Sequence, residues 1–538
     1  MERILRESEQ GENKLKKVLG PVDLMALGIG AIIGAGIFVI TGTAAAGGAS
    51  HIGAGPAIVI SFIITGIACG FAALCYAEFS SLIPIAGSAY TYSYATLGEL
   101  VAWIIGWDLV LEYMVGSSTV AIGWSGYFKS FLDGFGIRLP SWITTDIMTV
   151  VEALKHPEKY ISKFSEAFPD LARTLTDIIH NPAVANKTQA MADAIGAVPD
   201  ISTSPILIKF NSLLITALQA PHIGNLPVCI NLPAFLIIAL VTTLLVVGIS
   251  ESAKVNSFIV ALKLIILAVF IIVGIRHINP QNWVPFMPNG IAGIQTGAAM
   301  IFFAYIGFDA VSTTAEEAKN PGRDLPIGII GSLIVCTILY VIVAGVMTGI
   351  CPWNLLGTSE PVATALKYVG ETFLASHIIS VGAVVALIAV LIVMQLGQPR
   401  IFFSMSRDGF VPKWLSVVHP RFKTPYRTTI ISGIVVALCA TVLNINEVAE
   451  LCNIGTLFAF VLVCAGVIIL RYRSPDLHRP FKTPLVPLVP LLGIATCVYL
   501  MCGLPLITWI RFVSWLVIGL VVYFFYGRHH TRYEDIGE

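Results

Sequence analysis

Runs of about 18 or more predominantly apolar residues recur from Val22 to Gly527, the length a helix needs to cross the hydrocarbon core of a bilayer. Inside that core every backbone N–H and C=O must be satisfied within the segment, so such runs can only be helices or closed barrels. The chain has 538 residues, of which 56% are hydrophobic and 12% charged. A soluble domain carries about 25% charged residues. The even spread of the runs argues for one membrane domain, and the fold class expected is all-α, polytopic, with about twelve transmembrane helices. A formal net charge of zero gives no reason to expect a nucleic-acid partner. Ten cysteines are scattered without CxxC or metal-ligand spacing. They read as small packing residues, and no metal, cofactor or disulfide framework follows.

The spans are expected at 22–46, 57–82, 97–132, 232–249, 254–276, 292–317, 327–350, 375–407, 428–443, 448–471, 489–506 and 511–526. Residues 1–17 are polar, which is unlike a cleavable signal peptide. Orientation follows from basic residues in short loops. Arg3, Arg6, Lys14, Lys16 and Lys17 precede the first span. Arg407, Lys413, Arg421, Lys423 and Arg427 lie between spans 8 and 9, and Arg471, Arg473, Arg479 and Lys482 between spans 10 and 11. The opposite side carries Arg276, Lys367 and Arg511. Both termini are therefore placed in the cytoplasm of a multi-pass protein of the inner (plasma) membrane. The organisation expected is a tail (1–21), a first repeat (22–276), a second repeat (277–471), two further helices (472–527) and a second tail (528–538). The long polar stretch 133–231 interrupts the first repeat. It reads as a partly helical extracytoplasmic lid, with 206–218 apolar enough to lie on the membrane surface.

Helix 1 holds Gly28, Gly30, Gly34 and Gly36 within nine residues, which does not favour a continuous helix. One reading is close helix packing, since Gly30 and Gly34 have the GxxxG spacing. The other is an unwound stretch near the midplane, whose free N–H groups could hold a carboxylate. Helix 6 favours the second reading. Its stretch 302–309 carries Gly307 among aromatic residues and ends on Asp309, five helices after helix 1. Two interrupted helices five apart are what a five-plus-five inverted repeat produces. A zwitterion would satisfy both breaks, its carboxylate on one and its ammonium on the other.

At these residues the sequence resembles a known family. Stretch 28–39 is similar to the first-helix signature of the amino acid–polyamine–organocation superfamily. Stretches 106–113, 251–256, 303–309 with 316–321, and 398–400 with 406–409 resemble its cationic amino acid transporter branch, bacterial members included. The resemblance covers nearly the whole chain apart from 133–231. Vertebrate members usually have two more helices, so the likeness is to the bacterial type. It implies a leucine-transporter-type fold, with two extra C-terminal helices, working by alternating access. It implies that Ala35 and Gly36, beside Ile33 and Gly34 in the break, offer N–H groups to the carboxylate of an L-amino acid. Ile32, Phe303 and Ile306 would offer carbonyls to its ammonium. Phe303 matches an aromatic that gates the site from outside, with Ala304 beside it. Met394 of helix 8 matches a small serine of cation-transporting relatives, so its bulk favours small neutral cargo such as alanine.

Lys263 lies nine residues after Lys254, roughly 13 Å into helix 5. A charge at that depth is a functional hypothesis, against the plainer alternative of snorkelling to the interface. Stretch 386–394 of helix 8 contains no hydroxyl that could help to hold sodium. In similar bacterial transporters a lysine stands where sodium would sit, which implies proton coupling. Glu112 is the second coupling candidate, and Asp108 lies one turn before it. Asp309 follows the helix 6 break, where an acid can cap the inner half-helix. Exchange in place of symport, and an amino-acid sensor that does not transport, remain open at this stage. A channel would need a continuous polar stripe, which is not found. An enzyme would need a catalytic grouping, and the ten histidines are dispersed. Lipids surround such a chain, and its oligomeric state is not encoded in any motif.

Overall fold

A computed structural model of the chain describes residues 19–48, 51–82, 90, 94, 98–165, 167–198, 204–224, 226–248, 253–422 and 424–530. The basic tail from Arg3 to Lys17, Glu251, Lys423, residues 531–538 and the side chains of Lys254, Glu316 and Arg407 lie outside that description.

Among the described residues nine helices are long and apolar enough to cross a membrane. We label them with the three shorter apolar helices that alternate with them. They are α1 (Pro21–Ala46), α2 (Gly55–Leu82), α3 (Glu99–Gly134), α4 (Leu232–Val247), α5 (Ala253–Ile275) and α6 (Gly290–Ser312). Next come α7 (Pro321–Ile350), α8 (Leu374–Ser406), α9 (Tyr426–Val442), α10 (Ile445–Arg473), α11 (Leu488–Met501) and α12 (Leu506–His530). The protein is an all-α polytopic membrane protein, and among the described residues these nine long and three shorter apolar helices stand where about twelve spans were expected. Some ends differ from expectation. Helix α7 starts at Pro321 and carries Pro326 within it. Helix α12 starts at Leu506, which draws Arg511 out of the expected loop and into the helix. There its Nη2 lies 3.2 Å from Glu447 Oε2 of α10.

The packing has an internal regularity. Extensive contacts join α2 to α7, α3 to α8 and α4 to α9. Each of these pairs maps onto itself when every helix is exchanged with the one five places on. The pair α1–α7 then becomes α6–α2, and α10–α3 becomes α5–α8; all four are present. Five is odd, so counterpart helices run in opposite directions and the repeat is inverted. Toward one end, Glu78 of α2 accepts bonds of 2.9 Å from both Nε and Nη2 of Arg471 in α10. It also accepts the Thr483 N–H at 2.8 Å and lies 3.2 Å from Arg479 Nε.

Between α3 and α4 the chain forms a small domain with its own core. Its helices are Ile147–Lys155, Glu158–Phe164, Pro169–His180, Lys187–Gly196 and Pro205–Gln219, followed by a hairpin of His222–Ile223 and Leu226–Pro227. The apolar helix Pro205–Gln219, expected to be apolar enough for the membrane surface, turns one face into the core of this domain. It buries Leu207, Phe210 and Leu214 against Val150, Leu175 and Ile195 of the same domain. Phe210 stacks on Tyr160 with ring centroids 5.1 Å apart. Its apolar stripe is accounted for by this core, and bilayer contact is not needed to explain it.

Candidate functional site

Helix α1 is regular from Pro21 to Ile32 and is then interrupted. Ile33 has φ −73° and ψ 99°, which is extended backbone. Helical winding resumes in a wide turn over Gly36–Ile40 and continues as Thr41–Ala46. The four glycines therefore do two jobs. Gly28 lies in the regular part, where a Cβ would come within 2.5 Å of Ser332 Oγ in α7, so it is a packing glycine. Gly36 lies past the break, where a Cβ would stand 2.1 Å from the Cα of Ala304 in α6. Only a residue without a side chain lets the two interrupted helices touch there. A Cβ on Gly34 would meet Val390 of α8 at 3.1 Å.

Helix α6 is α-helical over Gly290–Ile301, tightens to a 3-10 turn over Phe302–Tyr305, and leaves helical geometry at Ile306 (φ −57°, ψ 134°). Gly307 has φ +111°, a conformation costly for any residue with a Cβ. A 3-10 segment, Asp309–Glu317, follows. Asp309 is buried in the first turn of this segment, where an acid favours the helix N-terminus. The freed backbone groups find partners, as they must in a bilayer. Asn453 of α10 donates through Nδ2 to Ala299 O (2.8 Å) and Met300 O (2.9 Å). The base of α1 is laced to the far end of this segment, Leu19 N–H to Glu317 O (3.0 Å) and Lys319 N–H to Leu19 O (2.9 Å).

Lys263 of α5 joins the site at the helix 1 break. Its Nζ donates to Gly30 O at 2.7 Å and to Ile33 O at 2.9 Å. The residue is 2% exposed, so its ammonium does not snorkel to an interface. Tyr340 of α7 donates to Ile32 O (2.8 Å), and Tyr127 of α3 donates to Phe38 O (2.5 Å). Carbonyls on both sides of the break are thus held by side chains from three other helices. Ile32 O, which the resemblance assigns to a substrate ammonium, already accepts one bond and has one lone pair left.

Ile32, Ile33, Ala35, Phe303, Ala304, Ile306 and Met394 are all buried around these breaks and the facing stretch of α8. Met394 is one turn beyond Val390, the residue that meets Gly34. A Cβ added at Gly116 of α3 would lie 3.5 Å from Met394 Sδ and 3.6 Å from Cys452 Sγ. Here α3, α8 and α10 meet in an apolar contact that includes two sulfur atoms. Glu112 is buried on α3, where Cys452 Sγ of α10 donates to its backbone carbonyl at 3.6 Å. Asp108 is fully buried, and neither of its carboxyl oxygens has a hydrogen-bond partner among the described residues. Sequence reasoning missed Asn453, Tyr340 and Tyr127. Each stands among other polar residues of its helix with no motif to mark it, and its partner is a carbonyl remote in sequence.

Comparison with known proteins agrees with this architecture. The profile of the Amino acid permease family matches residues 19–534. Branched-chain amino acid permease BcaP of Bacillus subtilis (strain 168) is 45% identical over 97% of this chain and 95% of its own length. The methylthioribose transporter of the same organism is 42% identical over 97% of this chain and 96% of its own. The vacuolar cationic amino acid transporter 4 of Arabidopsis thaliana is 34% identical over 87% of this chain and 65% of its own. With two interrupted helices meeting at Gly36 and Ala304, and a family profile over almost its full length, the chain belongs to the amino acid permease family of the amino acid–polyamine–organocation superfamily, in its cationic amino acid transporter-like branch.

Proposed function

We propose that this protein moves L-amino acids across the plasma membrane together with protons, by alternating access, with both termini in the cytoplasm. The observation that carries the reading is Lys263, whose ammonium bonds to two carbonyls at the break in α1. Such charge-assisted bonds each contribute about 1.5–3 kcal/mol. A proton leaving Lys263 removes that charge, loosens the inner half of α1 and so changes the balance between two arrangements of the helix. The substrate carboxylate takes N–H groups of Ala35 and Gly36, with Ile33 and Gly34 setting the break. Its ammonium takes carbonyls of Phe303 and Ile306. Phe303 and Ala304 close over it, and Glu112 serves as a second proton carrier near the inner half of α6.

The cargo is a neutral amino acid with a small or branched apolar side chain. The wall formed by Gly116, Val390, Met394 and Cys452 carries no charge for a cationic tail, and one relative is named for branched-chain amino acids. Purified protein in liposomes tests the reading. An inward proton gradient should drive alanine accumulation, and arginine should compete poorly. Uptake that requires internal amino acid and ignores the proton gradient would make the protein an exchanger. Binding without any uptake would make it a sensor.

A further inference from the structure

The domain between α3 and α4 has a core of its own and contributes nothing to the breaks, yet its contacts connect the two parts of the protein that alternating access must move apart. On one side it is fixed to the ends of α3, α9 and α10. Asn444, just before α10, donates through Nδ2 to Thr149 Oγ1 at 2.6 Å. Asn231 N–H bonds to Thr441 O at 3.4 Å, and Ser125 Oγ donates to Asn231 Oδ1 at 2.7 Å. On the other side its helix Pro205–Gln219 packs on the turn Trp353–Leu356 that follows α7. There Lys209 Nζ donates to Gly357 O at 3.3 Å.

That turn lies directly on the outer half of α1. A Cβ on Gly42 would stand 2.3 Å from both Leu356 O and Pro361 Cβ, and one on Gly357 would stand 3.3 Å from Ala46 Cβ. The segment from Trp353 to Tyr368 is therefore a cover pressed on Thr41–Ala46. Its far end is held by Lys367 Nζ on Ser130 Oγ of α3, at 2.8 Å. Opening the site to the outside requires this cover to lift from α1.

We propose that the α3–α4 domain is a strap on the outer gate: it is anchored at Asn444 and Asn231 and holds the cover closed through Lys209. The proposal rests on the alternating-access reading. The strap sets how often the outer gate opens, while the substrate contacts are left as they are. Cutting it at either end raises the open fraction without touching the breaks.

The test reads the gate directly. Thr43 is buried beneath the cover. In a Cys502→Ser background, which removes the exposed native thiol, Thr43→Cys is labelled with a membrane-impermeant maleimide on the full-length protein in liposomes. Lys209→Ala should raise the labelling rate about fivefold or more, fivefold being the factor for an exposed hydrogen bond of ordinary net strength. Lys209→Met, which keeps the packing of the stem, should do the same, and so should Asn444→Ala at the other end. Lys187→Ala, on the same domain but bonded only to Ile179 O among the described contacts, should leave the rate unchanged. Wild-type labelling for all three strap variants, with melting temperatures intact, overturns the proposal. If alanine does not change labelling of the Thr43→Cys protein itself, the alternating-access reading fails instead.

Discussion

Gly36 has no alternative residue. A methyl group there would sit 2.1 Å from the Ala304 backbone, and neither broken helix can retreat without losing the other. Gly36→Ala should therefore abolish the thermal shift produced by alanine while the protein still elutes as a folded species; a retained shift would contradict the contact. The glycines were visible in the sequence, but their division of labour was not. Gly28 packs and Gly36 touches, and only the three-dimensional neighbours Ser332 and Ala304 distinguish them. Asp146 makes a prediction of a different kind. It caps Ile147–Lys155 by accepting from Thr149 N–H at 2.7 Å, yet burial pushes its carboxyl up to about 6. Its unfolded value is about 3.9. The folded domain thus binds this proton more tightly than the unfolded chain. Its stability should rise as pH falls from about 6 to about 4, by on the order of 3 kcal/mol, and stay level above. Amide exchange of Ile147–Lys155 should show that slope, and Asp146→Asn should flatten it.

Helices were the most legible level, because uninterrupted apolar length states a span without reference to partners. Breaks were legible only as a pair, since the glycines of α1 alone fit packing equally well. The packing of Pro205–Gln219 into its own domain was not legible, because an apolar stripe looks the same whether it faces lipid or a domain core. What joins helices was not legible at all. Glu78, Arg471 and Arg479 are far apart in sequence and ordinary in type, yet they form a buried charged knot between α2 and α10. Removing Glu78 leaves the buried Arg479 guanidinium without its carboxylate, at a cost of about 3–5 kcal/mol. Glu78→Ala should lower the melting temperature markedly in detergent, and Arg471→Ala should lower it less, because Arg479 still pairs with Glu78. An unchanged melting temperature for both would show that the knot is not structural.

At the scale of the molecule, the exchange of packing pairs under a five-helix shift makes α1 and α6 counterparts, and their two breaks meet at Gly36 and Ala304. Lys263 is the asymmetric addition: it comes from α5 and serves only the α1 break. The sequence placed it at depth, but the carbonyls it holds became known only once α5 and α1 were docked. In the proposed mechanism it makes a pair of broken helices responsive to protons. The most direct test is alanine uptake into liposomes under an imposed inward proton gradient, comparing wild type with Lys263→Met. The account predicts concentrative uptake that collapses with the gradient in the wild type, and in the variant only equilibrating flux with no response to the gradient. Full gradient-driven accumulation by Lys263→Met would contradict it.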